Sequence, residues 1–148
     1  MRVPFVNTYF YIKCLHILEK IAALVDKPEE IGTFTAKAEK ATKALLKTYF
    51  DEETGNFFGN IQGANAYGLE LDLGDGRTLN NLVQHYEKLG HFDTGFLGTD
   101  ILLDVLFRKG EKDLAFRLLE SRALGSFLYM KDRGATTLWE DWHGRDSH

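Results

Sequence analysis

Near the start of the chain, apolar residues recur at Val6, Phe10, Cys14, Ile17, Ile21 and Leu24. Steps of three and four lay these on one helical face and predict a first helix from about Val6 to Val25. The Asp26-Lys27-Pro28 turn should stop it, because proline disfavours helical backbone in the residue before it. Phe34, Ala38, Ala41, Leu45 and Tyr49 form a second stripe, predicting a helix from Thr35 to Phe50. Asp51 to Asn56 is a turn cluster, followed by Phe57-Phe58-Gly59 as a short extended link. Asn60 to Leu73 reads as a third helix, although Gly63 and Gly68 each cost it about 1 kcal/mol against alanine. Small residues along one helix indicate close packing on a neighbour. A fourth helix runs from Thr78 to Leu89 and ends at Gly90, where a left-handed cap fits. Thr99 to Lys109 is a fifth, with Thr99 as its N-cap and Gly110 closing it, and Lys112 to Ser121 a sixth. After Leu124 the pattern is irregular, apart from a short strand or turn around Phe127 to Met130.

No useful stretch alternates as a strand would, so the fold class is all-α, with about six helices. No repeat consensus of the tetratricopeptide, HEAT or ankyrin kind is present. Helices joined by alternating short and long loops point to stacked hairpins, arranged as a bundle or a toroid. Periodicity does not choose between these two.

Composition narrows function more than fold. With 148 residues and 44% hydrophobic content the chain is long enough to bury a core and is not disordered. A net charge of −4 and a sequence pI near 5.7 exclude the basic face that nucleic-acid binding needs. Cys14 is the only cysteine, which excludes an internal disulfide and a multi-cysteine metal site. No apolar run approaches the ~20 residues of a membrane helix. Lys13, His16, Glu19 and Lys20 interrupt the N-terminal apolar stretch, so it does not read as a signal peptide, and localisation stays open. A helix beginning so near Met1, and a stop at Asp146-Ser147-His148 just after an aromatic-acidic cluster, read as two cut ends.

Several motifs carry no chemistry. Asp72 to Gly76 lacks the ligand spacing of a calcium loop, and Gly59 to Gly63 is not followed by the Gly-Lys-Ser/Thr of a phosphate loop. Lys37, Lys40, Lys43 and Lys47 make a solvated helix face. His143, Asp146 and His148 read as polar tail rather than metal ligands, and no metal or cofactor is expected. Two segments remain. His91 to Thr99 is a glycine-rich loop entering a helix N-terminus, either a tight connection or a place where polar ligand groups are welcome. In Gly134-Ala135-Thr136-Thr137-Leu138-Trp139-Glu140-Asp141-Trp142-His143-Gly144, two tryptophans flank two carboxylates. Aromatic platforms beside carboxylates suit sugars, and rings that desolvate a carboxylate make it a better base. The other reading is two core tryptophans and two solvated acids.

Together these segments resemble the bacterial α-L-rhamnosidases, inverting glycoside hydrolases of family 78. That family shows, in this order, a stretch like His91-Phe92-Asp93-Thr94-Gly95-Phe96-Leu97-Gly98-Thr99, a helix like Ile101 to Leu106, and a segment like Asp113 to Leu119. A Tyr-Met pair like Tyr129-Met130 and a Gly-Ala-Thr-Thr-Leu-Trp-Glu motif follow. The match in order and spacing covers residues 91 to 142, and more loosely everything from the first helix onward.

The resemblance implies that residues 1–148 are a partial (α/α)6 barrel of a six-hairpin catalytic domain, the later portion, truncated at both ends. It implies a rhamnose-containing glycoside as substrate and Glu140 as the general base. Trp139 and Trp142 would wall the sugar pocket or support its loop, and His91 and Thr94 would face the same mouth. The family's general acid lies in an upstream motif with no counterpart here; Glu52, Glu53 and Glu70 lack its context. The family also carries a later histidine, a role not assigned to His148. The chain alone should therefore be inactive. Alternatives are a non-catalytic carbohydrate-binding or scaffold module of the same hairpins, and an (α/α)6 glycosidase with another sugar preference. A half barrel exposes apolar surface, so self-association is expected.

Overall fold

The computed structural model describes residues 3–144. The chain divides into two compact units, residues 1–53 and 54–148. The predicted all-α character holds, with seven α-helices among the described residues rather than six.

The first unit is a hairpin of α1 (Val3–Leu24) and α2 (Pro28–Tyr49), followed by a two-residue extended segment, β1 (Phe50–Asp51). Helix α2 starts seven residues before the position predicted from its apolar stripe. Pro28 occupies its first turn, where a missing N–H costs nothing and the fixed φ favours helix. The apolar stripe of α2 is placed as expected, with Ala38 and Leu45 buried. That of α1 is not. Phe5, Tyr9, Ile12, Leu15 and Ala22 are the buried residues, while Ile17, Ile21 and Leu24 of the predicted stripe are exposed, along with Leu18 and Val25. Helix α1 is apolar around most of its circumference, and periodicity cannot choose a face on such a helix.

The second unit opens with β2 (Asn56–Phe57) and a tight 3-10 segment (Phe58–Gly63), and continues through α3 (Ala64–Glu70). The predicted third helix is thus half the expected length. Phe58, Gly59, Asn60, Gln62 and Gly63 all take positive φ, which no right-handed helix accommodates. Asn65 holds this turn from inside: its Oδ1 accepts from the Phe57 amide at 2.7 Å and its Nδ2 donates to the Thr78 carbonyl at 3.1 Å. The expected close packing at Gly68 is real, since a Cβ there would lie 2.3 Å from the buried Phe57 ring.

Helix α4 (Gly76–Leu89) starts two residues early because Asp75 forms a reciprocal capping box with Thr78. It ends at Gly90 in the left-handed cap predicted for it. Helix α5 (Phe96–Arg108) starts three residues early, at the Gly95 cap. Thr99 is therefore no N-cap; it lies inside the helix, and its hydroxyl bonds back to the Gly95 carbonyl at 3.2 Å. Helix α6 is Lys112–Leu119. The segment expected to be irregular holds α7 (Phe127–Asp132), too short for periodicity to detect. The core of the unit is built from Phe57, Leu82, Tyr86, Phe92, Leu102, Leu106 and Leu118.

Tyr86 combines this core with a polar anchor. Its hydroxyl donates to Asp93 Oδ1 at 2.6 Å, and His85 Nε2 lies 3.4 Å from Asp93 Oδ2. Burial, then the Asp93 carboxylate, pushes the Tyr86 phenol well above its ordinary range. A raised folded-state pKa contributes stability that is complete below the unfolded value, about 10, and lost as the pH rises through and beyond it. Tyr86→Phe should cost about 1–3 kcal/mol at neutral pH. Urea titrations between pH 8 and 11 should also show a shallower alkaline loss in the variant than in the parent.

Candidate active site

The site is built from three stretches of the second unit: the 91–95 loop with the first turn of α5, helix α7, and the segment 134–144. The fold brings the sequence-predicted segments together through one residue. Trp142 donates its indole N–H to the Thr94 carbonyl at 2.6 Å, stacks on Phe92 at 5.7 Å with 13° between the planes, and meets Phe127 edge-on at 5.3 Å. Phe92 is in turn held by its amide, which donates to the Gly125 carbonyl at 2.8 Å. Gly125 has φ +91°, and a Cβ there would lie 2.4 Å from the Phe92 carbonyl oxygen. Only glycine fits there.

Two clefts meet at the Trp-Glu pair. The first, about 310 Å³, is mainly apolar, with Phe96, Leu97, Phe127, Met130 and Leu138 beside the two tryptophans. The second, about 690 Å³, is polar and includes Tyr129, Arg133, Thr136, Thr137 and His143. Trp139, Glu140 and Asp141 line both. Gly144 closes on the ring of Trp139, where a Cβ would approach to 2.5 Å.

The two neighbouring carboxylates differ in their surroundings. Asp141 Oδ1 accepts the amides of His143 at 2.7 Å and Gly144 at 3.1 Å and thereby shapes the turn. Glu140 makes no such turn contact and is exposed. Glu140 is thus exposed rather than enclosed by the tryptophan rings. Trp139 and Trp142 are half-buried and both wall the apolar cleft. His91 and Thr94 line neither cleft. The Thr94 side chain is buried, with its hydroxyl 2.6 Å from that of Thr99, and it is its carbonyl that reaches the site, through Trp142. His91 Nδ1 lies 2.9 Å from the Phe92 carbonyl oxygen. His148 lies outside the described residues. Sequence reasoning missed Phe127, Gly125 and the Tyr86–Asp93 anchor: Gly125 and Phe127 meet Phe92 from more than thirty residues away, and Tyr86 and Asp93, seven apart, are joined across the Gly90 helix end, which no helical spacing marks.

An all-α chain of helical hairpins, with an aromatic cleft and an exposed carboxylate beside the start of a helix, has the make-up of the helical-hairpin glycosidases. The chain belongs to the bacterial alpha-L-rhamnosidase 6 hairpin glycosidase domain family, whose description matches residues 2–148. It is 52% identical over 142 residues to an alpha-L-rhamnosidase of Streptomyces avermitilis, a match covering 93% of this chain and 14% of that protein. It is 32% identical over 143 residues to one of Formosa agariphila, covering 93% and 15%. Two solved structures are similar. The alpha-L-rhamnosidase of Aspergillus terreus matches with a TM-score of 0.88 and 26% identity, over 96% of this chain and 17% of that one. That of Dictyoglumus thermophilum matches with a TM-score of 0.83 and 28% identity, over 90% and 16%. The fold is therefore part of an (α/α)6 barrel, and by family the chain is a glycoside hydrolase domain. It spans about a sixth of the length of these relatives.

Proposed function

We propose that residues 1–148 form part of the catalytic barrel of an inverting α-L-rhamnosidase acting on terminal α-L-rhamnosyl linkages, and that Glu140 is its general base. The observation that carries this reading is the contrast between the two carboxylates. Asp141 is engaged by its own turn, while Glu140 stands exposed where the apolar and polar clefts meet. A general base must be near the sugar yet free to take a proton. Glu140 would accept that proton from a water whose oxygen attacks the anomeric carbon. A second carboxyl group, about 6.5–9.5 Å away across the sugar, would protonate the departing oxygen. Trp139 offers a ring face to the apolar side of a deoxy sugar. Trp142 braces the loop from behind, and His91 and Thr94 support it at one remove.

No segment of this chain matches the family's acid motif, so the chain alone should release no aglycone from an aryl α-L-rhamnoside. Grafted in place of the matching segment of the Streptomyces avermitilis relative, residues 2–148 should sustain hydrolysis. Turnover by the isolated chain, or a folded but inactive graft, would overturn the reading.

We also propose that the isolated chain self-associates, because α1 leaves Ile17, Leu18, Ile21 and Leu24 exposed as one apolar patch. Light scattering should give a mass above that of one chain, falling toward it in Leu18→Glu/Ile21→Glu. A monomer at high micromolar concentration would exclude this.

A further inference from the structure

The segment that carries Glu140 is braced by Trp142, and Trp142 is held by the residues on either side of Asp93. Phe92 stacks on its ring, and the Thr94 carbonyl accepts its indole N–H. The side chain of Asp93, between them, meets helix α4 instead. Its Oδ1 accepts the Tyr86 hydroxyl at 2.6 Å and its Oδ2 lies 3.4 Å from His85 Nε2, so each carboxylate oxygen meets one residue of α4. A hydroxyl donating to a carboxylate makes a bond roughly twice as strong as one between neutral groups. The His85 ring also sits edge-on to that of Tyr86, with centroids 4.9 Å apart. Gly63 packs against both ends of this contact: a Cβ there would lie 2.9 Å from the Tyr86 hydroxyl and 2.9 Å from the Thr94 methyl.

The 92–94 segment thus has three attachments. The Phe92 amide donates to the Gly125 carbonyl, in the loop before α7, and the Thr94 hydroxyl pairs with that of Thr99, in α5. Asp93 ties the segment to α4, a helix capped at both ends, by Asp75 and by Gly90. A site loop takes its precision from the rigid element behind it. We propose that Asp93 is a positioning residue for the Trp139–Trp142 segment: through Tyr86 and His85 it fixes the Thr94 carbonyl where the Trp142 indole N–H meets it. The catalytic role of that segment rests on the proposed function; its positioning by Asp93 does not.

The test follows the Trp142 indole N–H by nuclear magnetic resonance in the intact chain. In Asp93→Ala its signal should move toward that of a free indole, and its exchange with solvent should quicken about tenfold or more. Asp93→Asn keeps an oxygen for the Tyr86 hydroxyl and should hold the signal near the parent's position. Tyr86→Phe deletes one hydroxyl, should shift the signal the same way by a smaller step, and decides the matter if Asp93→Ala does not fold. Leu118→Ala lowers stability from the core face of α6 and should leave the signal where it is. An unmoved signal in folded Asp93→Ala or Tyr86→Phe, or an equal displacement in Leu118→Ala, would overturn the proposal. In the grafted rhamnosidase, Asp93→Ala should lower kcat about tenfold with KM within about twofold of the parent, and Asp93→Asn should recover most of the loss. Full activity of the Asp93→Ala graft beside an inactive Glu140→Gln graft would equally overturn it. An unimpaired Glu140→Gln graft would remove the proposed base but leave the indole result standing, so the two readings fail separately.

Discussion

Glu140→Gln, introduced into the grafted rhamnosidase, should lower kcat by about 10³-fold while leaving KM nearly unchanged, the scale at which positioned general bases act. Glutamine preserves size and hydrogen-bonding reach but cannot take a proton from water. Since Glu140 is exposed and shapes no turn in the described structure, folding should be unaffected. Asp141→Asn separates proximity from chemistry. It keeps an oxygen to accept the amides of His143 and Gly144, so hydrolysis should fall only a few-fold. Steady-state assays on an aryl α-L-rhamnoside decide between them. An unimpaired Glu140→Gln graft, or a larger loss in Asp141→Asn, would move the base elsewhere.

Gly125→Ala should be the most disruptive single methyl in the second unit. The backbone there sits at φ +91°, which costs an L-residue about 1–2 kcal/mol. The added carbon would also meet the Phe92 carbonyl oxygen at 2.4 Å and His91 Nδ1 at 2.7 Å. One of these neighbours is backbone and cannot swing aside, so a further 1–3 kcal/mol of overpacking is expected. The loss should show in urea denaturation as about 2–5 kcal/mol. It should also reach the site, because Phe92 is the surface on which Trp142 stacks. A variant as stable as the parent would mean that the 91–125 contact is not formed as described.

What the sequence revealed followed what is local. The Gly90 cap, the Gly68 contact and the stripe of α2 each depend on residues within a few positions, or on a small side chain that only close packing explains. The stripe of α1 misled because the helix is apolar nearly all round, and Thr99 because Gly95 caps the helix one turn earlier. The third helix was overextended because no propensity anticipates a left-handed turn at Phe58 and Asn60; that backbone is held by Asn65 and Asn81, contributed by the following helices. The site loop was recognisable by composition. The resemblance singled out Glu140, but the turn role of Asp141 was not legible, since which acid accepts the loop's own amides is settled by two amide directions.

The bracing of Trp142 has an evolutionary consequence. Phe92, Gly125, Phe127 and Trp142 fit one another as a single four-part joint drawn from distant stretches of chain. A smaller ring at any one position would loosen the other contacts. Drift at these positions should therefore proceed by compensated pairs. Recombination between distant relatives should accordingly succeed when its crossover falls outside 92–142, and fail when it separates the parts of this joint.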